Sequence, residues 1–227
     1  LPGMPAAAED VMVARNVALA ELTGARLHLA HISTEGSVRM VREAKSRGLK
    51  VTAEACPHHF TITEETVRGY NTYAKMNPPL RTWKDVQAIK EGLRDGTIDV
   101  IATDHAPHAT QEKQLGFTEA PFGIVGLETA LPLTLALVEE GVLSLESAVD
   151  KLSTAPAKVF GLAKGTLAVG ADADVTIVDQ QEQWEVDPAK FYSKSRNTPF
   201  AGWKVQGRGT TTIVGGRVGF ETGQAEK

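Results

Sequence analysis

Residues 98–108 read Ile-Asp-Val-Ile-Ala-Thr-Asp-His-Ala-Pro-His, a short apolar run that ends abruptly in an acid and two imidazoles. Val100, Ile101 and Ala102 follow the turn signal Asp95-Gly96. Such a run suits a strand buried on both faces, as parallel strands in α/β proteins are. It stops at Asp104, and His105 and His108 follow on a loop stiffened by Pro107. In α/β barrels the chemistry sits at the C-terminal ends of the strands. Asp104, His105 and His108 are therefore candidates for metal or proton-transfer chemistry. The plainer alternative has Asp104 capping the next helix and both histidines facing solvent.

Upstream, the same strand–helix alternation recurs. Val11, Ala14, Ala18 and Leu22 recur at helical spacing within residues 8–23, before Gly24. Residues 26–33 follow as a strand pattern ending in polar residues, in which His28 and His31 would point to opposite faces. Ser33 or Thr34 caps a helix that carries Val38, Val41 and Ala44 and stops at Gly48. Residues 49–55 form a second strand, left by Pro57-His58-His59, a pair that extended backbone cannot aim at one point. Lys75-Met-Asn-Pro-Pro-Leu-Arg81 is a loop whose two prolines would present Asn77 in one orientation. Thr82 and Asp85 open a helix with Val86, Ile89 and Leu93 on one face.

Downstream, residues 109–119 read as a polar loop. Pro121-Phe-Gly-Ile-Val-Gly126 is glycine-rich and lets backbone approach a ligand closely. Residues 127–140 are an apolar helix containing Pro132. Ser144 caps another through Leu152, and Pro156 starts a short one ending at Gly161. After Lys164 the period changes to two, with two short strands expected within 165–179, further strands at 203–206 and 210–214, and a Gly215-Gly216 hairpin into 217–220. The chain thus divides into residues 1–163, built of strand–helix repeats, and residues 164–227, a small β module.

The 227 residues are 42% hydrophobic and 23% charged, with a net charge of −4 and no long charge run. That balance argues against a general nucleic-acid or membrane surface. The single cysteine, Cys56, forms no internal disulfide and fits a reducing, cytoplasmic setting. No run is long enough for a transmembrane helix. Leu1 stands where a complete chain would begin with methionine, which fits a piece of a longer protein.

Taken together, Ala30-His-Ile-Ser-Thr34, Glu54-Ala-Cys-Pro-His-His59, Lys75 to Arg81, Thr103-Asp-His-Ala-Pro-His108 and Ala120-Pro-Phe-Gly123 resemble the amidohydrolase superfamily. Within it they resemble the dihydroorotases that bacteria carry as separate enzymes. The resemblance implies a cyclic amide hydrolase that interconverts N-carbamoyl-L-aspartate and L-dihydroorotate in pyrimidine biosynthesis. It further implies two zinc ions in the complete enzyme, with His31 and Asp104 as metal ligands and Asp104 as the acid–base residue. Asn77, His108, Phe122 and Gly123 match substrate-contacting positions. No ligand role carries over to His58 or His59.

A (β/α)8 barrel usually needs about 250 residues, and no His-x-His pair or bridging lysine or carboxylate stands before His31. The expected fold is therefore α/β, the C-terminal part of such a barrel (strands six to eight) with the flanking β module. Such a fragment should be inactive by itself. Two other readings compete: a non-catalytic scaffold of a pyrimidine-pathway complex, and a hydantoinase- or allantoinase-type enzyme. The resemblance leaves room for a homo-oligomer or a pathway partner, and for no nucleic acid or membrane.

Overall fold

The computed structural model describes residues 3–223, so Leu1, Pro2 and the last four residues of the expected β module lie outside the described residues. Helix α1 (Ala6–Thr23) leads into strand β1 (Leu27–Leu29), helix α2 (Glu35–Ser46) and strand β2 (Val51–Ala55). A short helix α3 (Pro57–Thr61), helix α4 (Trp83–Arg94) and strand β3 (Val100–Ile101) follow. The three strands form one parallel sheet in the order β1-β2-β3, with Leu27 opposite Val51 and Glu54 opposite Val100.

Parallel strands need crossovers, and helices α2 and α4 supply them. Helix α2 buries Val38, Val41 and Ala44, with Thr34 accepting from the Ser37 N–H at its start. Helix α4 buries Val86, Ile89 and Leu93 behind a Thr82–Asp85 capping box. Both faces follow the expected periodicity. Helix α1 does not: its buried residues are Val13, Val17 and Ala20, while Val11 and Leu22 lie open at 66% and 81% exposure. The stripe read from the sequence is the one left facing outward.

Helix α5 (Thr110–Lys113), unforeseen in the polar loop, precedes helix α6 (Leu127–Glu139), which runs through Pro132 without ending. Helices α7 (Leu145–Val149) and α8 (Ala155–Phe160) are joined by a π-helical turn over Asp150–Thr154, so the two expected helices form one continuous rod. No helix among the described residues is long and apolar enough to cross a membrane.

The β module is an antiparallel sheet of β4 (Val175–Glu185), β5 (Lys204–Val214) and β6 (Arg217–Glu221) in that order. Two expectations are corrected here. Residues 165–174 form turns held by Lys164 ion pairs to Asp172 and Asp174, not a strand. Residues 204–206 and 210–214 belong to one long strand that starts just after Trp203, and in it Gly207 and Gly209 break the apolar alternation. Gly207 has φ 92°, a backbone that favours glycine, and a Cβ there would also displace the Leu135 side-chain tip of α6. Between β4 and β5, residues 186–203 leave the sheet and bury Phe191, Asn197 and Phe200.

Candidate active site

Three strand ends meet in one place. His31 lies two residues past β1, Glu54 within the C-terminal end of β2, and Asp104 three residues past β3. His31 and Asp104 both adopt left-handed backbone, at φ 52° and 47°. Non-glycine residues adopt it uncommonly, Asn, Asp and His most readily, and it costs about 1–3 kcal/mol. Strain concentrated at two facing strand ends marks a functional site.

The left-handed turn also corrects the parity argument for the histidines. His31 has left the strand, so alternation no longer governs it, and it reaches the same carboxylate as His28. Glu54 accepts from His31 Nδ1 at 2.8 Å and from His28 Nε2 at 3.0 Å. Burial pushes the Glu54 carboxyl up, but hydrogen bonds from His28 and His31 outweigh it and lower the group to about 2. In turn the hydrogen bond to Glu54 raises His31, with burial opposing and the Asp104 and Glu54 charges adding. Cys56 lies beside the pair, its Sγ 3.4 Å from His31 Nδ1; burial foremost, then Asp104 and Glu54, pushes the thiol well up, which makes it inert.

With Nδ1–H given to Glu54, the His31 Nε2 lone pair is free to face Asp104, whose Oδ1 is 3.7 Å away. That is too long for a hydrogen bond. It matches the separation of two donors that share one cation at about 2.0–2.2 Å each. An oriented imidazole with a carboxylate behind it is the usual support for a histidine ligand. The two donors therefore fit a shared divalent metal ion.

The other candidates divide. His105 braces the loop: its Nδ1 accepts the Gly126 N–H at 3.1 Å. His108 Nε2 donates to the Phe122 carbonyl at 2.8 Å, leaving Nδ1 for other partners. Phe122 and Gly123 thus come together with His108. The Gly123 N–H, however, is taken by the Lys75 carbonyl at 2.9 Å, and is not open to a ligand. Gly123 has φ 115°, and a Cβ would meet that of Ala106 at 2.4 Å; only glycine lets the two loops close. Asn77 is exposed, two residues beyond the Lys75 carbonyl that holds Gly123.

His58 and His59 are not on extended backbone but in the α3 turn that Pro57 starts, with ring centroids 4.3 Å apart. Donor atoms of Cys56, His58 and His59 lie within 4.8 Å of one another. All three residues are buried, and His58 Nε2 and His59 Nδ1 have no hydrogen-bond partner. Burial pushes both histidines down, His59 to about 4 with some opposition from its bond to Pro78, which keeps both imidazoles neutral.

Sequence reasoning missed Glu54 as a working residue, although an acid in a strand otherwise buried and apolar was a usable signal. It missed Lys113 also, whose Nζ donates to the Pro121 and Gly123 carbonyls beneath the loop at 2.9 and 3.1 Å.

The profile of the amidohydrolase family matches residues 8–219. The chain is 59% identical over 223 residues to the dihydroorotase of Geobacter sp. (strain M21), covering 98% of this chain and 52% of that protein. It is 60% identical over 219 residues to the dihydroorotase of Pelotomaculum thermopropionicum, covering 96% and 51%. Among solved structures, the L-hydantoinase (dihydropyrimidinase) of Arthrobacter aurescens superposes with a TM-score of 0.92 at 35% identity, over 99% of this chain and 51% of that one. The chain spans about half the length of the curated relatives it matches. With the match extending over nearly all of the sequence and the strand-end histidine and aspartate facing one another, the chain belongs to the amidohydrolase family.

Proposed function

We propose that this chain is the C-terminal part of a dihydroorotase barrel, its strands β1, β2 and β3 being the sixth to eighth. The complete enzyme would be cytoplasmic, bind two zinc ions and interconvert N-carbamoyl-L-aspartate and L-dihydroorotate. The observation that carries the reading is the facing pair of His31 Nε2 and Asp104 Oδ1 at the ends of parallel strands. Identity of 53–60% to dihydroorotases supports this activity over the hydantoinase reading, for which the structural likeness comes at 35% or less. Retention of His31, Asn77, Asp104 and His108 speaks against a scaffold that does no chemistry.

In ring opening, water adds to the amide carbonyl carbon, the carbon–nitrogen bond breaks, and the ring nitrogen gains a proton. Zinc, when bound by His31 and Asp104 with ligands from the rest of the barrel, would polarise the carbonyl and acidify water toward a pKa of about 7. Asp104 takes the proton from the attacking water and returns it to the departing nitrogen. Glu54 keeps His31 in the tautomer whose Nε2 is free. Asn77 would donate to the substrate carboxylate; His108, whose Nε2–H serves Phe122, could donate to it through Nδ1 only as the imidazolium, with Glu112 3.8 Å from that nitrogen.

The test is an assay of the complete protein with L-dihydroorotate and with hydantoin. Turnover of dihydroorotate is expected. Turnover of hydantoin alone would move the assignment to the hydantoinases, and turnover of neither by metal-loaded protein would favour the scaffold.

A further inference from the structure

We infer that Asn197 is a positioning residue for recognition of the substrate carboxylate, supplied from between two strands of the β module. The inference rests on the dihydroorotase reading above. Asn197 lies in the 186–203 excursion between β4 and β5 and is 1% exposed. Its Oδ1 accepts the His108 N–H at 3.2 Å. Its Nδ2 donates to the Ala106 carbonyl at 2.9 Å and to the Gly123 carbonyl at 3.1 Å. Its own carbonyl accepts the Val125 N–H at 2.9 Å.

These bonds tie the loop after Asp104 to the loop that carries Phe122 and Gly123. The two loops also meet along the His105–Ile124 bridge with its Ala106 N–H bond to the Ile124 carbonyl, through the Gly126 N–H on His105, and through the Lys113 and His108 bonds to the 121–123 carbonyls. Among the described residues, Asn197 is the one side chain that holds Ala106, His108 and Gly123 together. A buried primary amide offers two donors and an acceptor in one plane, and each is used. Aspartate would keep the shape and lose both donors, setting an anion against two carbonyl oxygens. Serine would keep one donor on a shorter arm.

The consequence for function lies in where His108 points. Its backbone is held by Asn197, and its ring donates to Phe122, one residue before the carbonyl that Asn197 also holds. The Asn197 amide thus touches both anchors of the His108 imidazole, holding the His108 backbone and sharing with Lys113 the Gly123 carbonyl next to Phe122. Asn197 makes no bond to His31, Glu54 or Asp104, so the metal and proton chemistry do not depend on it directly. A residue some ninety positions away in the chain sets the substrate-binding wall while leaving the reacting centre alone.

The experiment uses the complete enzyme with Asn197→Asp, and Asn197→Ser in case the aspartate variant fails to fold. Zinc content, kcat and KM for dihydroorotate, and the ring-nitrogen resonances of His108 are measured. The expected result is KM raised roughly ten- to a hundredfold, the range set by losing hydrogen bonds to a charged group. Zinc content should hold, kcat should change by less than about threefold, and the His108 resonances should shift. An unchanged KM in a folded variant would overturn the inference, as would joint loss of zinc and kcat at constant KM, which marks a merely structural residue. If the wild-type enzyme itself does not turn over dihydroorotate, the functional reading falls, and unshifted His108 resonances would then overturn the clamp as well.

Discussion

A carboxylate that shuttles a proton must both take it up and give it back, and burial favours uptake by Asp104, raising its carboxyl from the ordinary value while His31 opposes the shift and Glu54 adds to it. In the complete enzyme, Asp104→Asn should keep its shape but lose roughly 10²–10⁴-fold in kcat, because an amide cannot accept the proton. Near-wild-type turnover in both directions would leave Asp104 a structural residue. Glu54→Gln should act on the metal instead. It removes the anion behind His31, and metal affinity should fall roughly 10–100-fold, read by competition with a chelator. Asn77→Ala and His108→Ala should weaken use of dihydroorotate more than metal binding, on the order of 1.5–3 kcal/mol for a bond to a charged group. Equal losses with an uncharged cyclic amide would remove the carboxylate from the explanation. Asp104 stood out as the acid that closes an apolar run, whereas His31 and His108 took their proposed roles from the family resemblance. Glu54 was quoted within its motif without a role, and Asn197 had no local signal, since its partners at 106, 108 and 123 are distant in sequence.

Periodicity recovered helices α2, α4 and α6 and the Gly215-Gly216 hairpin, where a local repeat and a cap or turn agree. It failed where tertiary context chooses among options. Helix α1 is apolar on more than one face, so spacing could not select Val13, Val17 and Ala20. The His58-His59 pair was placed on extended backbone, whereas Pro57, whose fixed φ suits a first helical turn, starts α3 there. That turn has a measurable consequence in acid. The unfolded chain takes up protons on these histidines below a pH of about 6.5. The folded chain resists until His59 reaches about 4, and His58 lies well below its usual value too. The unfolded state therefore binds more protons, and stability falls as pH drops from about 6.5 toward 4. His59→Gln keeps a donor for the Pro78 carbonyl but cannot titrate. The acid-induced loss should shrink by on the order of 3 kcal/mol in denaturant melts of the complete enzyme at pH 8 and pH 4.5. An unchanged pH dependence would exclude His59 as an acid trigger.

The parallel sheet ends, among the described residues, at β1, whose outer edge pairs with no other strand. Helix α1 beside it leaves Val11, Met12, Leu19 and Leu22 open, at 45–81% exposure. An unpaired parallel edge next to an apolar stripe favours association with another chain. In the proposed barrel, both features would be covered by the preceding strand and helix. The chemistry points the same way, because a two-ion centre needs several ligands and this chain offers the facing pair of His31 and Asp104. Expressed by itself, residues 1–227 should be associated or poorly soluble, hold less than one tightly bound zinc per chain and show no ring opening. Supplying the remaining N-terminal part as a separate polypeptide should pair the β1 edge, cover α1, complete the ligand set and restore both zinc and turnover. Sedimentation, metal analysis and a dihydroorotate assay on each chain and on the mixture would decide it. Two bound zinc ions and turnover from the chain by itself would place the whole centre within these residues and remove the need for the rest of a barrel.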